Sequence, residues 1–254
     1  MKPKIIALLQ ARTDSTRLPK KVLKKILNKP MIIHQLIRAS KSNLIDELVL
    51  VTSDNSSDDE LSNIILNNNF KLFRGDKNNV LKRFNDCLIN YNLQDEDIIV
   101  RLTGDCPLKD SDIIDELIVK FSNSNCDYIS NCITPIYPDG FDVEIFSYKA
   151  LTTAYKKATK LSQKEHVTPY IRDSGEFKIE ELYKKPIYPN WRLTVDEKED
   201  FILINKIFEY FGDNSFSFDE IITFLEKNQN LLELNSHINR NEGYSKSLKE
   251  ENDK

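Results

Sequence analysis

The chain has 254 residues, of which 40% are hydrophobic and 30% are charged, and its formal net charge is −4. This length and balance are typical of a globular protein that buries a sizeable core. The negative net charge argues against nucleic-acid binding, which needs a basic face. No run of eighteen apolar residues and no signal-peptide pattern occurs, so we expect a cytoplasmic protein without a membrane partner. The four cysteines show no C-x-x-C spacing, which favours reduced thiols over a disulfide framework or a zinc site.

Short apolar runs alternate with amphipathic segments along the first half of the chain. The predicted strands are 4–9, 48–51, 70–73, 98–102 and 128–130, and the predicted helices are 30–39, 57–66, 80–91 and one that begins at residue 111. Strands that alternate with helices at this spacing indicate an α/β fold, with a mostly parallel sheet and helices on both faces. Ligands of such sheets bind at the carboxyl ends of the strands.

The pattern changes after residue 131. Residues 133–146 contain two prolines and a glycine and are predicted to be extended. A helix over 148–158, a strand over 191–195 and helices over 201–211 and 219–225 follow, the last opened by a capping box from Ser217 to Glu220. We interpret residues 1–254 as a single domain with an extended excursion at about 133–189 and a polar C-terminal tail at about 229–254.

One loop directly after the first predicted strand carries four cations: Arg12, Arg17, Lys20 and Lys21. It matches neither a G-x-G-x-x-G nor a Walker pattern. A nucleoside triphosphate carries about four negative charges, and guanidinium forks suit its oxygens. A solvated basic loop is the alternative interpretation.

This loop and several later blocks resemble the 3-deoxy-manno-octulosonate and acylneuraminate cytidylyltransferases, and the spore-coat polysaccharide biosynthesis branch of that superfamily is the nearest match. The similar blocks run in order along nearly the whole chain: Ala11-Arg12, Ser15-Thr16-Arg17-Leu18-Pro19, Lys21, Lys29–Ile32, Thr52-Ser53-Asp54, Phe73-Arg74-Gly75, Gly104–Leu108, Tyr137–Gly140, Glu165–Pro169, Val195-Asp196 and Asn241–Leu248. The resemblance implies a nucleotide-binding sheet, and it implies that the excursion serves to form a homodimer.

Asp105 and Asp196 each follow a predicted strand. Two carboxylates at adjacent strand ends can hold Mg²⁺, which binds one or two carboxylates together with phosphate oxygens. The alternative is that each aspartate caps the next helix. The resemblance implies that both positions bind a catalytic magnesium ion, with Asp200 a weaker candidate.

The nucleotide, CTP, is expected to contact residues at several strand ends. Hydroxyl and carboxylate groups after the second strand suit ribose or the base's amine, whereas a plain polar loop is the alternative. A cation on the helix over 80–91, Arg83, is expected to be solvated. The predicted CTP-binding residues are Gln10, Ala11, Arg12, Arg17, Lys21, Ser53, Asp54, Arg74, Asn79 and Thr103.

The sugar site is expected in the second half of the chain, where hydroxyls stand near cations. Arg172 or Arg192 can anchor a sugar carboxylate bidentately. A structural role is the alternative for His166, and a core position is the alternative for Tyr137. The predicted sugar-binding residues are Tyr137, Asp139, Asp142, Glu144, Glu165, His166, Thr168, Arg172 and Arg192.

The predicted reaction is in-line attack of the anomeric hydroxyl of a ulosonic-type sugar on the α-phosphorus of CTP, with release of pyrophosphate. The predicted catalytic residues are Arg12, Arg17, Lys21 and Asp105, with Mg²⁺ on the two aspartates. A glycosyltransferase is one alternative, although Gly104-Asp105-Cys106 lacks its usual Asp-x-Asp pair. A nucleotide-binding regulator without turnover is the other.

Overall fold

The computed structural model of the chain describes residues 2–240. Its strands, in chain order, are β1 (Ile5–Gln10), β2 (Lys25–Ile26), β3 (Lys29–Pro30), β4 (Glu47–Ser53), β5 (Lys71–Gly75), β6 (Ile98–Thr103), β7 (Tyr128–Ser130), β8 (Glu144–Ser147) and β9 (Ile179–Glu181). Its α-helices are α1 (Met31–Ala39), α2 (Asp59–Asn67), α3 (Val80–Leu88), α4 (Ser111–Ser122), α5 (Tyr148–Lys157), α6 (Leu161–His166), α7 (Pro169–Asp173), α8 (Lys198–Phe211) and α9 (Phe218–Lys227).

The main sheet has the strand order β5-β4-β1-β6-β8-β7-β9. The first four of these strands are parallel to one another, β8 is antiparallel to β6 and β7, and β9 pairs with β7 in parallel. The sheet is therefore mostly parallel, as the alternating pattern predicts.

Both faces of the sheet are covered by helices. Along β1, Ala7 and Leu9 belong to one buried cluster that includes apolar residues of α1, α4, α8 and α9. Ile6 and Leu8 belong to a second cluster that includes residues of α3 and α5. Because successive side chains of a strand point to opposite faces, a strand buried on both sides is apolar at nearly every position. This explains why the first strand was evident as a continuous apolar run.

Two predicted elements differ from the structure. Helix α2 begins at Asp59 after a 3₁₀ turn at Ser56–Asp58, and the side chain of Asn55 caps that turn, so the predicted capping box at Ser57 is wrong. Residues 191–195 form no named strand and make only an isolated bridge from Arg192 to Asp139. The capping box at Ser217 is confirmed.

Residues 133–189 are not wholly separate from the sheet, because they contain β8, which lies between β6 and β7, and the edge strand β9. The resemblance over 241–248 lies outside the described residues. Within residues 2–240, no helix combines the length and the apolar character that crossing a membrane requires.

Candidate active site

A cleft of about 690 Å³ opens at the carboxyl ends of β1 and β6. Most of the predicted site residues line it: Gln10, Ala11, Arg12, Arg17, Lys21, Thr103, Asp105, Asp139, Asp142, Glu144, Glu165, His166, Thr168, Arg172, Arg192 and Asp196. This location agrees with the general rule for ligands of open α/β sheets.

Close packing of two loops forms the floor of the cleft. The amide of Gly104 donates to the carbonyl of Gln10 at 2.8 Å. A Cβ at Gly104 would lie 2.7 Å from the Cβ of Ala11, so a side chain there would force the loops apart. Glycine at this position therefore brings the loop after β6, which carries Asp105, against the loop after β1.

A buried carboxylate fixes the basic loop. Asp58 is 1% exposed, and its Oδ1 accepts from the amide of Thr13 at 2.8 Å and from the Thr13 hydroxyl at 2.7 Å. Its Oδ2 accepts from the hydroxyl of Ser53. These bonds hold the pKa of Asp58 below its ordinary value although burial opposes the shift. The loop after β1 is thereby held against the end of β4 at Thr13, which lies between Arg12 and Arg17 in the sequence.

Asp105 and Asp196 meet at one side chain. The Nζ of Lys21 lies 3.4 Å from Oδ2 of Asp105 and 2.7 Å from Oδ1 of Asp196, and it donates to the carbonyl of Val195 at 2.8 Å. Although the two aspartates are far apart in sequence, their carboxylates are thus within reach of one small cation. Asp196 does not cap α8, because the N-cap residue is Glu197.

The charges of this group stabilise one another. Burial by itself lowers the pKa of Lys21, but Asp105 and Asp196 outweigh it and raise the pKa. Burial raises the pKa of Asp105, but the Lys21 ammonium and nearby hydrogen bonds hold it well below its usual range. Lys21 and Asp105 are therefore both charged at neutral pH.

The pair suits a hard divalent cation. Within residues 2–240, no group of three or more His, Cys, Asp or Glu side chains could hold a metal ion, so the protein offers two carboxylates and not a complete cage. Mg²⁺ typically uses one or two carboxylates and completes its octahedron with water and substrate phosphates. The donor set at Asp105 and Asp196 fits that mode of binding.

Arg192 arranges the acidic wall beside this pair. Its guanidinium donates to both carboxylate oxygens of Asp200 at 2.9 and 3.0 Å, to Asp139 at 3.2 Å and to Asp196 at 3.3 Å. The predicted anchoring of a sugar carboxylate by Arg192 is therefore corrected, because its fork is taken by Asp200. Asp200 is fully buried and accepts from the amides of Asp196 and Glu197, so it positions Asp196 and is no ligand itself.

A second buried network lies on the far side of the cleft. The Oε1 of Glu144 accepts from the Thr168 hydroxyl at 2.6 Å and the Tyr128 hydroxyl at 2.7 Å, and Oε2 pairs with Arg101. The Nε of Arg101 donates to the side chain of Gln10 at 3.1 Å. Burial by itself raises the pKa of Glu144, but the guanidinium of Arg101 and these hydrogen bonds outweigh it, so the pKa lies below its ordinary value. The network joins the ends of β1, β6 and β8 to the start of α7.

A strained backbone turn at Val167 positions His166 and Thr168, which are two of the predicted sugar-binding residues. Val167 is fully buried and has φ +69° and ψ −57°, and the amide of Thr168 donates to the carbonyl of His166 at 2.8 Å. This is a γ-turn of the rare, strained type, in a β-branched residue that avoids positive φ. The turn allows both His166 and Thr168 to line the cleft. Burial lowers the pKa of His166, so the imidazole is neutral near pH 7.

Four predicted nucleotide contacts lie outside the cleft lining. The hydroxyl of Ser53 is used by Asp58, and the side chain of Asp54 is exposed. The guanidinium of Arg74 donates to the carbonyls of Ser53 and Asn55 and pairs with Asp59. The side chain of Asn79 caps α3 by accepting from the amide of Lys82. These four assignments are corrected, because local structure uses the polar groups of Ser53, Arg74 and Asn79, and the exposed carboxylate of Asp54 lies outside the lining.

Tyr137 is also outside the cleft. It is 2% exposed, its ring packs edge-on against Phe218, and its hydroxyl donates to Glu116 at 2.8 Å. The core interpretation therefore holds for this tyrosine.

The prediction also missed residues that line the cleft. Arg83 was expected to be solvated but is 1% exposed. A signal was present, since Val80, Phe84 and Cys87 have helical spacing and place Arg83 within the apolar stripe of α3. The other lining residues that were not predicted are Asp14, Ser15, Thr16, Val22, Val80, Arg101, Gly104, Cys106, Cys132 and Thr194.

Comparison with known proteins identifies the family. A family model described as cytidylyltransferase matches residues 6–239. The chain belongs to this cytidylyltransferase family. It is 31% identical over 233 residues to the spore coat polysaccharide biosynthesis protein SpsF of Bacillus subtilis, covering 88% of this chain and 95% of the relative. The family match and this relative show that the chain is a nucleotidyltransferase enzyme.

One solved structure and one partial relative extend the comparison. The structure of a cytidylyltransferase from Leptospira borgpetersenii aligns with a TM-score of 0.85 and 31% identity, covering 91% of this chain and 97% of that one. The 8-amino-3,8-dideoxy-manno-octulosonate cytidylyltransferase of Shewanella frigidimarina is 32% identical over 118 residues, or 46% of this chain and 47% of the relative. The fold and the family of this cytidylyltransferase are thus established together.

Proposed function

We propose that this cytidylyltransferase transfers CMP from CTP to an acidic sugar of the ulosonic type, releases pyrophosphate, and uses Mg²⁺ bound by Asp105 and Asp196. The observation that carries the proposal is the meeting of these two carboxylates at one cation, beside an arginine-bearing loop. The SpsF relative supports a place in surface polysaccharide or glycan biosynthesis.

The chain's own groups suffice to bind and orient the triphosphate. Arg12, Arg17 and Lys21 line the same cleft within one loop, and they would donate to the phosphate oxygens and stabilise the charge that grows in the transition state. Asp105 and Asp196 would hold Mg²⁺, which would supply charge neutralisation and Lewis-acid polarisation at the α-phosphoryl group. No protein nucleophile is needed, because the sugar hydroxyl attacks directly.

The opposite side of the cleft supports an acidic, hydroxyl-rich acceptor. Arg172, His166 and Thr168 line it together with the carboxylates of Asp139 and Asp142. A guanidinium recognises a carboxylate, and carboxylates accept bonds from sugar hydroxyls. A partial relative that acts on an amino-dideoxy-octulosonate agrees with this acceptor class.

A coupled pyrophosphate assay tests the activity. The purified enzyme is incubated with Mg²⁺, each of the four nucleoside triphosphates and a panel of ulosonic acids, and products are identified by mass spectrometry. We expect pyrophosphate and a CMP-sugar only with CTP and an acidic sugar, and no product in EDTA. Release of free nucleotide from a nucleotide sugar would identify a glycosyltransferase instead. Binding of CTP with no turnover on any acceptor would identify a regulator.

Asp105→Asn removes one carboxylate charge from the proposed metal pair at almost constant volume. We expect kcat to fall by roughly 10²–10³-fold, as when a transition-state electrostatic contact is lost, and we expect Mg²⁺ titration to shift to higher concentration. Asp54→Asn, at an exposed aspartate outside the cleft lining, is the matched control. Wild-type rates for Asp105→Asn at limiting Mg²⁺ would refute the metal assignment.

We also propose that the excursion forms a homodimer interface. It carries exposed apolar side chains, with Tyr183 90%, Tyr188 40% and Ile133 39% exposed. Light scattering coupled to gel filtration should give twice the monomer mass of 29.6 kDa. A Tyr183→Asp variant should shift the protein towards monomer, and a monomeric wild-type protein would contradict the proposal.

A further inference from the structure

One buried cation in the cleft, Arg83, has no side-chain hydrogen bond or ion pair among residues 2–240. Arg83 is 1% exposed, and its Nε and Nη1 are buried without any hydrogen-bond acceptor. Its amide is bonded normally to the carbonyl of Asn79, so the helix itself is regular. Gly75 makes room for the side chain, since a Cβ there would lie 3.3 Å from the Cγ of Arg83. A guanidinium has only donors, and leaving them unbonded in the interior is costly.

The nearby carboxylates do not satisfy Arg83. Asp14, Asp58 and Asp76 influence it electrostatically, but within residues 2–240 none of them forms an ion pair with it inside 4 Å. Each is already occupied, Asp14 by two cations, Asp58 by an amide and two hydroxyls, and Asp76 by two amides. Burial and the neighbouring charge of Arg12 lower the pKa of Arg83 to about 10, so the group is still charged at neutral pH.

Within residues 2–240 the protein supplies no acceptor to these two nitrogens, so a ligand bound in the cleft can supply it. We propose that Arg83 reads the base of the nucleotide, donating to the O2 and N3 acceptor edge of cytosine and thereby selecting CTP over UTP. The inference rests on the proposed use of CTP. Uracil carries a hydrogen on N3, so a donor-only group faces a donor there and loses a bond.

The surroundings of Arg83 favour a base over a phosphate. Val80 lies one turn before Arg83 on α3, and it lines the cleft together with Ala11 of the loop after β1. Apolar side chains beside a buried donor suit the face and edge of a flat ring. Arg17 and Lys21 of the loop after β1, in contrast, lie beside the carboxylate pair, where the triphosphate is expected, and Arg12 is the cation of that loop that neighbours Arg83. Four of the predicted CTP-binding residues, Ser53, Asp54, Arg74 and Asn79, lie outside the cleft lining.

Calorimetric binding of CTP, UTP and pyrophosphate to three variants tests the inference. Arg83→Met removes the donors at similar volume, Arg83→Lys keeps the charge without the planar fork, and Lys82→Met is the control at the neighbouring, half-exposed cation. We expect Arg83→Met to weaken CTP at least about tenfold while UTP and pyrophosphate change less than about twofold. Arg83→Lys should bind pyrophosphate normally but show a smaller preference for CTP over UTP, and Lys82→Met should match the wild type.

Other outcomes would overturn the inference. An equal loss of pyrophosphate and CTP affinity would assign Arg83 to the phosphates, and an unchanged ratio of CTP to UTP affinity would deny it any part in base selection. Thermal unfolding separates a structural role, since Arg83→Met should melt at or above the wild-type temperature because the side chain has no bond to lose. Failure of the wild type to bind CTP would instead contradict the proposed function, whereas normal CTP binding by Arg83→Met would contradict this inference alone.

Discussion

Arg192 organises more of the cleft than its exposure suggests, because one guanidinium contacts three carboxylates. It is 6% exposed and pairs with Asp139, Asp196 and Asp200. Buried ion pairs are tolerated only when hydrogen bonds satisfy the remaining oxygens, and Asp200 meets that condition through Asn235 and two backbone amides. Asp139, in contrast, accepts a side-chain hydrogen bond from Arg192 and lies near the like charge of Asp142.

Asp139 should make stability depend on pH. Burial and then Asp142 raise its pKa to about 7, against the nearby arginines. A raised pKa means that the folded state holds the proton more tightly than the unfolded state, so this group's contribution is fully present below the unfolded pKa near 4 and is lost as pH rises through 7.

Urea unfolding at several pH values checks this prediction. The unfolding free energy of the wild type should fall relative to that of Asp139→Asn as pH rises from 4.5 to 7.5. The reason is that Asp139 ionises in this range, whereas the amide of the variant cannot. The exposed Asp54→Asn variant should show no such trend. A difference for Asp139→Asn that is constant with pH would mean that this carboxylate titrates normally.

Single residues mark the limit of inference from sequence. Asp105 follows β6, Asp196 follows a segment that was predicted to be a strand, and Lys21 lies in the basic loop after β1, so these positions together with the family resemblance brought attention to them. The free donors of Arg83 and the taken donors of Arg192 depend on which side chains lie across the cleft, and no local pattern encodes that. Polar residues such as Ser53 and Asn79 look like ligand contacts in sequence, yet nearby backbone and side-chain groups use their hydrogen-bonding capacity.

At the scale of elements, the loop after β1 is the most important piece, because it carries the proposed triphosphate ligands and its backbone donates to one buried carboxylate from another element. Asp58 lies in the 3₁₀ turn before α2 and bonds to Thr13 in the middle of that loop. The other backbone bonds of the loop are at its start, where the amide of Ala11 donates to the carbonyl of Val51, and within its own turns, so we expect the position of Arg12 and Arg17 to depend on Asp58.

Asp58→Ala should therefore weaken both folding and nucleotide binding. We expect a loss of roughly 2–4 kcal/mol in unfolding free energy, because a buried amide and two hydroxyls lose their acceptor, and a rise in KM for CTP that exceeds the fall in kcat. Chemical denaturation and steady-state kinetics measure the two effects. Asp59→Ala is the control, since Asp59 is exposed and pairs only at the surface with Arg74, where the cost should stay within about 0.5 kcal/mol. Equal behaviour of the two variants would show that the loop does not depend on Asp58.

Elements themselves were largely predictable. β1, β4 and β6 are buried on both faces and read as apolar runs, and α1, α4 and α9 have clear helical spacing. The segment over 191–195 was assigned as a strand because of its composition, but it is held by loop contacts, such as the amide of Val195 donating to the carbonyl of Asp105 at 2.8 Å. Extended segments that pair with loops look the same in sequence as strands that pair in a sheet.

At the scale of the whole molecule, strand order decides which loops form the cleft. β1 and β6 are adjacent and central, and the lining residues come chiefly from their loops and from the segments beyond β8. β4 and β5 lie towards one edge of the sheet, so Ser53, Asp54 and Arg74 end away from the cleft. Sequence periodicity indicates the longer buried strands but not the order of the strands in the sheet, and the mistaken nucleotide contacts follow from that gap.

The bridge formed by Lys21 sets a condition on how the enzyme loads. An ammonium group already occupies the space between the two carboxylates, so a divalent ion enters by exchange and not by simple addition. The triphosphate provides a new anionic partner for the displaced Lys21. Binding of Mg²⁺ and binding of CTP therefore favour each other. Calorimetric titration of Mg²⁺ should give at least about tenfold weaker binding without CTP than with a non-reacting CTP analogue, a coupling of roughly 1.4 kcal/mol. Lys21→Met should narrow this gap by binding the ion more readily when alone, whereas equal Mg²⁺ affinity with and without nucleotide in the wild type would exclude such an exchange.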